Sequence, residues 1–122
     1  GDFNVAPLDS DVGDGFFLQP GTTHTSPRER ETLAQFESAA GVRDVIRPLQ
    51  PEGYTFWDYK QGKFAKDEGL RIDFIYGSPS FADLVKGGFI HRDARKGDGP
   101  SDHVPVVVDL LGEDDEDRPM IF

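Results

Sequence analysis

The chain has 122 residues, enough for one domain with a modest core. Thirteen Lys and Arg face 23 Asp and Glu for a net charge of −10; the stretch after Leu110 carries five of those acids and one Arg, leaving −6 on residues 1–110. This acidity speaks against charge-driven binding to duplex nucleic acid. The lack of Cys excludes disulfides and thiolate metal sites, and no apolar run is long enough to span a membrane.

The opening Gly1-Asp2-Phe3-Asn4-Val5 reads as the end of a strand already under way. A first residue other than Met points to a piece of a longer chain, a processed terminus being the alternative. Residues 5–25, rich in Gly, Pro, Asp and Thr, predict a long loop. "TSPRERETLAQFESAAG" then carries helix punctuation: Ser26 as N-cap, Pro27 in the first turn, Glu29 three residues after Ser26, and Gly41 at the stop. Leu33, Phe36 and Ala40 share one face, so the spacing predicts an amphipathic helix over 27–40. Residues 42–47 read as a short strand or a last helical turn.

"YTFWDYK" (54–60) is aromatic and strand-like. "LRIDFIYGS" (70–78) alternates Leu70, Ile72, Phe74 and Tyr76 against Arg71, Asp73, Ile75 and Gly77, as a strand wet or functional on one side does. "PSFADLVKGG" predicts a short helix ending at Gly87, and 89–94 another strand. "VPVVVDL" (104–110) is the apolar run expected of a strand covered on both faces. Residues 111–122 form an acidic tail with the composition of a disordered segment. The mixture predicts part of a layered α/β sandwich, with a sheet face or edge left to be covered.

Three sets of polar residues stand where core residues belong. Asp2 and Asn4 sit two apart and would point to one side of a strand; Asp73 lies inside "RIDFI"; Asp102 and His103 precede the valines. Taken singly, each has a plain structural reading: an Asx turn, an exposed Arg–Asp pair, a turn, a structural His. Taken together, buried acids require partners. One arrangement satisfies them all. Asp73 would fix the tautomer of His103, and Asp2, Asn4 and Asp102 would line the same pocket with oxygen ligands for Mg²⁺ or Mn²⁺. Of the adjacent Phe56 and Trp57, one must point away from the core, while Lys60, Lys63, Lys66 and Arg71 stand ready to meet phosphate or solvent.

"GDFN", "RIDFIY" and "SDHVPV", in that order, resemble the exonuclease III branch of the endonuclease/exonuclease/phosphatase superfamily, with "YTFWDY" falling where that family has its aromatic strand. The resemblance covers all but the tail. It implies the C-terminal half of a four-layered α/β sandwich of the DNase I-like fold over 1–110, lacking the N-terminal half that carries a metal-binding Glu. It also implies a Mg²⁺-dependent DNA-repair phosphodiesterase, a 3′→5′ exonuclease and abasic-site endonuclease acting on double-stranded DNA in the cytoplasm. Carried over by motif, Asp2 orients or deprotonates the attacking water and Asn4 holds phosphate or metal. His103, oriented by Asp73, stabilises charge on the phosphate or binds metal. Asp102 is a metal ligand or helps the leaving group, and Phe56, Trp57 and Arg71 contact DNA. Phosphodiesterases of RNA or of phospholipid head groups, and a non-catalytic interaction module, are the alternatives.

Overall fold

The computed structural model describes residues 1–13, 24–59, 62–96 and 99–112. Helix α1 spans Pro27–Ala40 as its punctuation predicts. The Ser26 hydroxyl accepts the Glu29 amide at 3.2 Å and donates to the Glu29 carboxylate at 2.7 Å. Gly41 closes the helix at φ 66°, a left-handed turn that only glycine adopts without strain. Of the expected apolar face only Leu33 is buried; Phe36 stays 43% exposed although its ring meets Phe3 and Tyr76.

Strand β1 (Arg43–Asp44) pairs antiparallel with β2 (Tyr76–Gly77). Helix α2 (Pro79–Leu84) stops three residues before Gly87, because Val85 already enters β3 (Val85–Ile90). Residues 92–95 turn into a 3₁₀ helix instead of continuing that strand. β3 pairs antiparallel with β4 (Val106–Leu110), whose Val106, Val107 and Val108 are half-buried, not covered on both faces. The tail beyond residue 112 and residues 14–23 of the early loop lie outside the described residues.

Between these pieces runs an irregular ribbon held by single bridges. Asp2 bridges Asp73, Val12 and Phe56 both bridge Leu70, and Phe56 also bridges His103. Among the described residues of the stretches expected as the strands 54–60 and 70–78, pairing is therefore by single bridges at Phe56, Leu70 and Asp73, with a regular pair only at Tyr76–Gly77. Gly69 makes the close approach possible: a Cβ there would lie 2.6 Å from the Phe56 carbonyl oxygen and 2.8 Å from the Trp57 indole nitrogen. Two apolar clusters flank the ribbon. One gathers Ala6, Leu70 and Ile72 with Val12 and Phe56; the other gathers Trp57, Ile90 and Val104 with Tyr54 and Phe64.

Candidate active site

Where the two clusters meet, the ribbon presents three titratable side chains. Two of them adjoin residues packed in the interior, Asp73 following Ile72 and His103 preceding Val104, and the exposed Asp2 is bridged to Asp73. His103 Nδ1 lies 2.8 Å from Asp73 Oδ2, and its Nε2 lies 3.6 Å from Asp2 Oδ2. The imidazole thus hangs between two carboxylates. Burial alone holds the His103 pKa down, but the hydrogen bond and charge of Asp73, with the charges of Asp2 and Asp102, outweigh it and raise the pKa above the ordinary histidine value. The Asp73 carboxylate accepts the hydrogen bond from Nδ1–H and leaves Nε2 on the side of Asp2.

Asp2 and Asn4 do not share a strand face. Asn4 has φ 55°, and its amide donates to Asp2 Oδ1 at 2.9 Å, so the segment is an Asx turn that breaks the alternation. His24 clamps this turn from outside. Its Nδ1 is 2.7 Å from the Asn4 carbonyl oxygen, and its own carbonyl accepts the Ala6 amide at 2.8 Å. Nothing in the local sequence flags His24; only the fold brings it there.

The ligand atoms of Asp2, Asp73 and His103 lie within 4.8 Å of one another, and this group does not include Asp102. Two carboxylates and an imidazole suit a divalent cation, with hard oxygen donors in the majority. Asp73 thus joins the possible ligands, whereas the sequence suggested only an orienting role for it. Asp102 lies outside this group, though its charge acts on His103, and its backbone carbonyl accepts the Trp57 amide at 3.0 Å.

Two expected DNA contacts are overturned. Trp57 is fully buried, its ring edge-on to Tyr54 and Phe64 and its Nε1 donating to Asp67 Oδ1 at 3.1 Å. Arg71 is 1% exposed and donates through Nη1 to the Gln50 carbonyl at 2.7 Å. It lies near an ion pair in which half-buried Arg47 grips the buried Asp11 through two bonds of 2.6 and 2.7 Å. Burial and the charge of Arg47 push the Arg71 pKa down, with Asp44 and Asp11 offsetting in part. The residue is a core cation, not a phosphate clamp. Phe56 is the aromatic that faces the site: half-buried, its ring centroid stands 5.1 Å from that of His103. Among the lysines, Lys63 is engaged with Glu68 at 2.9 Å, Lys66 is exposed, and Lys60 lies outside the described residues.

No family model matches the chain. It is 32% identical over 118 residues to exodeoxyribonuclease III of Haemophilus influenzae, covering 90% of this chain and 44% of that protein. It is 36% identical to a DNA-(apurinic or apyrimidinic site) endonuclease of Dictyostelium discoideum over 90% of this chain and 30% of that one. Its fold matches that of the 3′ phosphatase NExo from Neisseria, solved with a product DNA hairpin, at a TM-score of 0.82 and 36% identity over 92% of this chain and 44% of that one. The chain therefore spans less than half the length of these relatives, and its mixture of helices and small sheets is part of the DNase I-like fold that these nucleases share.

Proposed function

We propose that residues 1–110 carry catalytic groups of a metal-dependent DNA phosphodiesterase of base-excision repair, which cuts at abasic sites and degrades from 3′ ends. The observation that carries the reading is the His103 imidazole, fixed by Asp73 at 2.8 Å on one nitrogen and facing Asp2 at 3.6 Å with the other. The names of the similar proteins support the substrate class.

Phosphodiester hydrolysis requires an activated water, charge neutralisation at the non-bridging oxygens and help for the departing oxygen. The gap of 3.6 Å is longer than a hydrogen bond, so the Nε2–H of a cationic His103 is free to donate to a phosphate oxygen. Asp2 Oδ1 is held by the Asn4 amide, which leaves Oδ2 to take a proton from the attacking water. Asn4 stands at the exposed side of the same turn, where its amide would meet phosphate. Asp102, whose charge His103 feels, would serve on the leaving-group side. Bound by the Asp2 and Asp73 carboxylates, Mg²⁺ or Mn²⁺ would supply positive charge to the phosphate. Phe56, beside the imidazole, would meet the sugar or base next to the scissile bond.

The experiment is incision of a duplex with one abasic site, in Mg²⁺ and in EDTA, by the chain alone and by the chain mixed with the remainder of an exonuclease III relative. Metal-dependent incision confined to the mixture is expected. A duplex ending in a 3′-phosphate is the second substrate, as the Neisseria neighbour's name suggests. His103→Ala removes one charge-stabilising donor, so its rate should drop by roughly 10²–10³-fold, about 3–4 kcal/mol of barrier. An active His103→Ala protein would refute the assignment.

A further inference from the structure

We propose that Thr55 is the positioning residue that holds Asp73 and His103 in register, acting through a buried hydroxyl that touches no substrate. The inference rests on the reading of Asp73 and His103 given above.

Residues 54–57 lie between the two stretches that carry those side chains, and Thr55 is fully buried there. Its Oγ1 accepts the Ile72 amide at 3.0 Å and the Asp73 amide at 3.1 Å, and sits 3.5 Å from the Leu70 carbonyl oxygen, the acceptor for its own proton. Its backbone carbonyl, facing the other neighbour, accepts the Val104 amide at 2.9 Å. One residue is thus bonded to the backbone of Asp73 on one side and to the residue after His103 on the other.

The hydroxyl is needed because the ladder slips at this point. The amides of Thr55 and Phe56 both donate to the Leu70 carbonyl, at 2.8 and 3.0 Å. The doubled bond leaves Ile72 and Asp73 with consecutive amides facing Thr55, and a single oxygen on a short side chain takes both. Buried amides do not go unpaired. Without that oxygen the 72–73 backbone must move toward another acceptor, carrying the Asp73 carboxylate with it. A shift of about 1 Å is enough to break productive geometry at a site of this kind. Thr suits the position better than Ser, because its γ-methyl restricts χ1 and holds the oxygen in place.

Proton NMR of the protein tests this directly. The Nδ1–H of His103, donated to Asp73, should give a downfield, slowly exchanging imidazole resonance, assigned by its disappearance in His103→Ala. Thr55→Val keeps nearly the same shape and removes the hydroxyl; it should lose that resonance and speed exchange of the Ile72 and Asp73 amides by at least tenfold. Thr55→Ser should restore both. Survival of the resonance in folded Thr55→Val overturns the proposal, as does its loss in folded Thr55→Ser. If Thr55→Val does not fold, the Ser variant decides alone: wild-type resonance and amide protection support the role, and their loss defeats it. The resonance is read without substrate. Failure of the unmutated chain, mixed with the remainder of an exonuclease III relative, to cut DNA would therefore sink the proposed function and leave the Thr55 result standing.

Discussion

The β3–β4 hairpin and the ribbon formed by 54–57, 70–74 and 102–104 solve the problem of pairing strands in opposite ways. The hairpin has a regular antiparallel ladder, yet Phe89 is 44% and Leu110 38% exposed. The ribbon has single bridges, yet Thr55 and Trp57 are fully buried and Leu70, Ile72 and Phe74 are each 2% exposed. Regular pairing and burial have come apart. In a strict ladder His103, Phe56 and Leu70 would share a face, and Asp73, three residues from Leu70, would point to the other. The doubled donation to the Leu70 carbonyl works as a bulge does, resetting the alternation so that Asp73 reaches His103. The irregular segment is the one that can aim side chains from different stretches at one point.

If burial anchors the ribbon, the largest loss of stability should come from its buried ion pair. Asp11 is 1% exposed, its backbone carbonyl accepts the Arg71 amide at 2.8 Å, and its carboxylate neutralises Arg47. Asp11→Ala leaves Arg47 with the Pro51 carbonyl at 3.2 Å and the Asp44 carboxylate at 3.9 Å, near the buried Arg71. Removal of one partner from a buried pair costs roughly 3–5 kcal/mol, and the partial exposure of Arg47 favours the lower figure. Urea denaturation measures it. A loss under about 1 kcal/mol would mean that the ribbon does not depend on this pair.

The sequence made α1 legible to the residue, because capping is local chemistry: Ser26, Pro27, Glu29 and Gly41 act within one turn. The convergence of Asp2, Asp73 and His103 followed from the cost of burying acids without partners. Arg71 and Trp57 misled for a shared reason. Alternation assigned Arg71 to a wet face, but Gln50 and the Arg47 group, brought in from elsewhere in the chain, roof that face over. An aromatic pair says that one ring is outside without saying which; Asp67 and Phe64 decide it by capturing the indole. The bulge at Thr55 has no sequence signature, since it depends on two amides meeting one carbonyl across a gap of 15 positions.

Next in size is a pH effect confined to the ribbon. His103 titrates above its ordinary value of 6.5 in the folded state, so its contribution to stability is complete below that value and is lost as pH rises through the raised folded pKa. Asp73→Asn removes the hydrogen-bonded charge that does most to raise it, and should flatten the stability curve in that window while bringing the NMR-measured pKa of His103 down. An unchanged pKa in a folded Asp73→Asn protein would show that Asp2 and Asp102 suffice, and that the 2.8 Å contact is not what sets the imidazole's charge.

The smallest effect should come from the hairpin, in spite of its better ladder. Phe89 stands opposite Val107, nearly half exposed, with His91 as its ring neighbour at a centroid distance of 5.9 Å. Full burial of a Phe side chain contributes about 1.5–3 kcal/mol, so Phe89→Ser, which gives up half of that, should cost about 1 kcal/mol in the same urea titration. The ladder bonds are backbone bonds and survive the change. A loss of 3 kcal/mol or more would reverse the comparison, since only a face packed in solution can lose that much from one ring. A loss near 1 kcal/mol, set beside the Asp11→Ala result, would locate the stability of this chain in the irregular segment that also aims its chemistry.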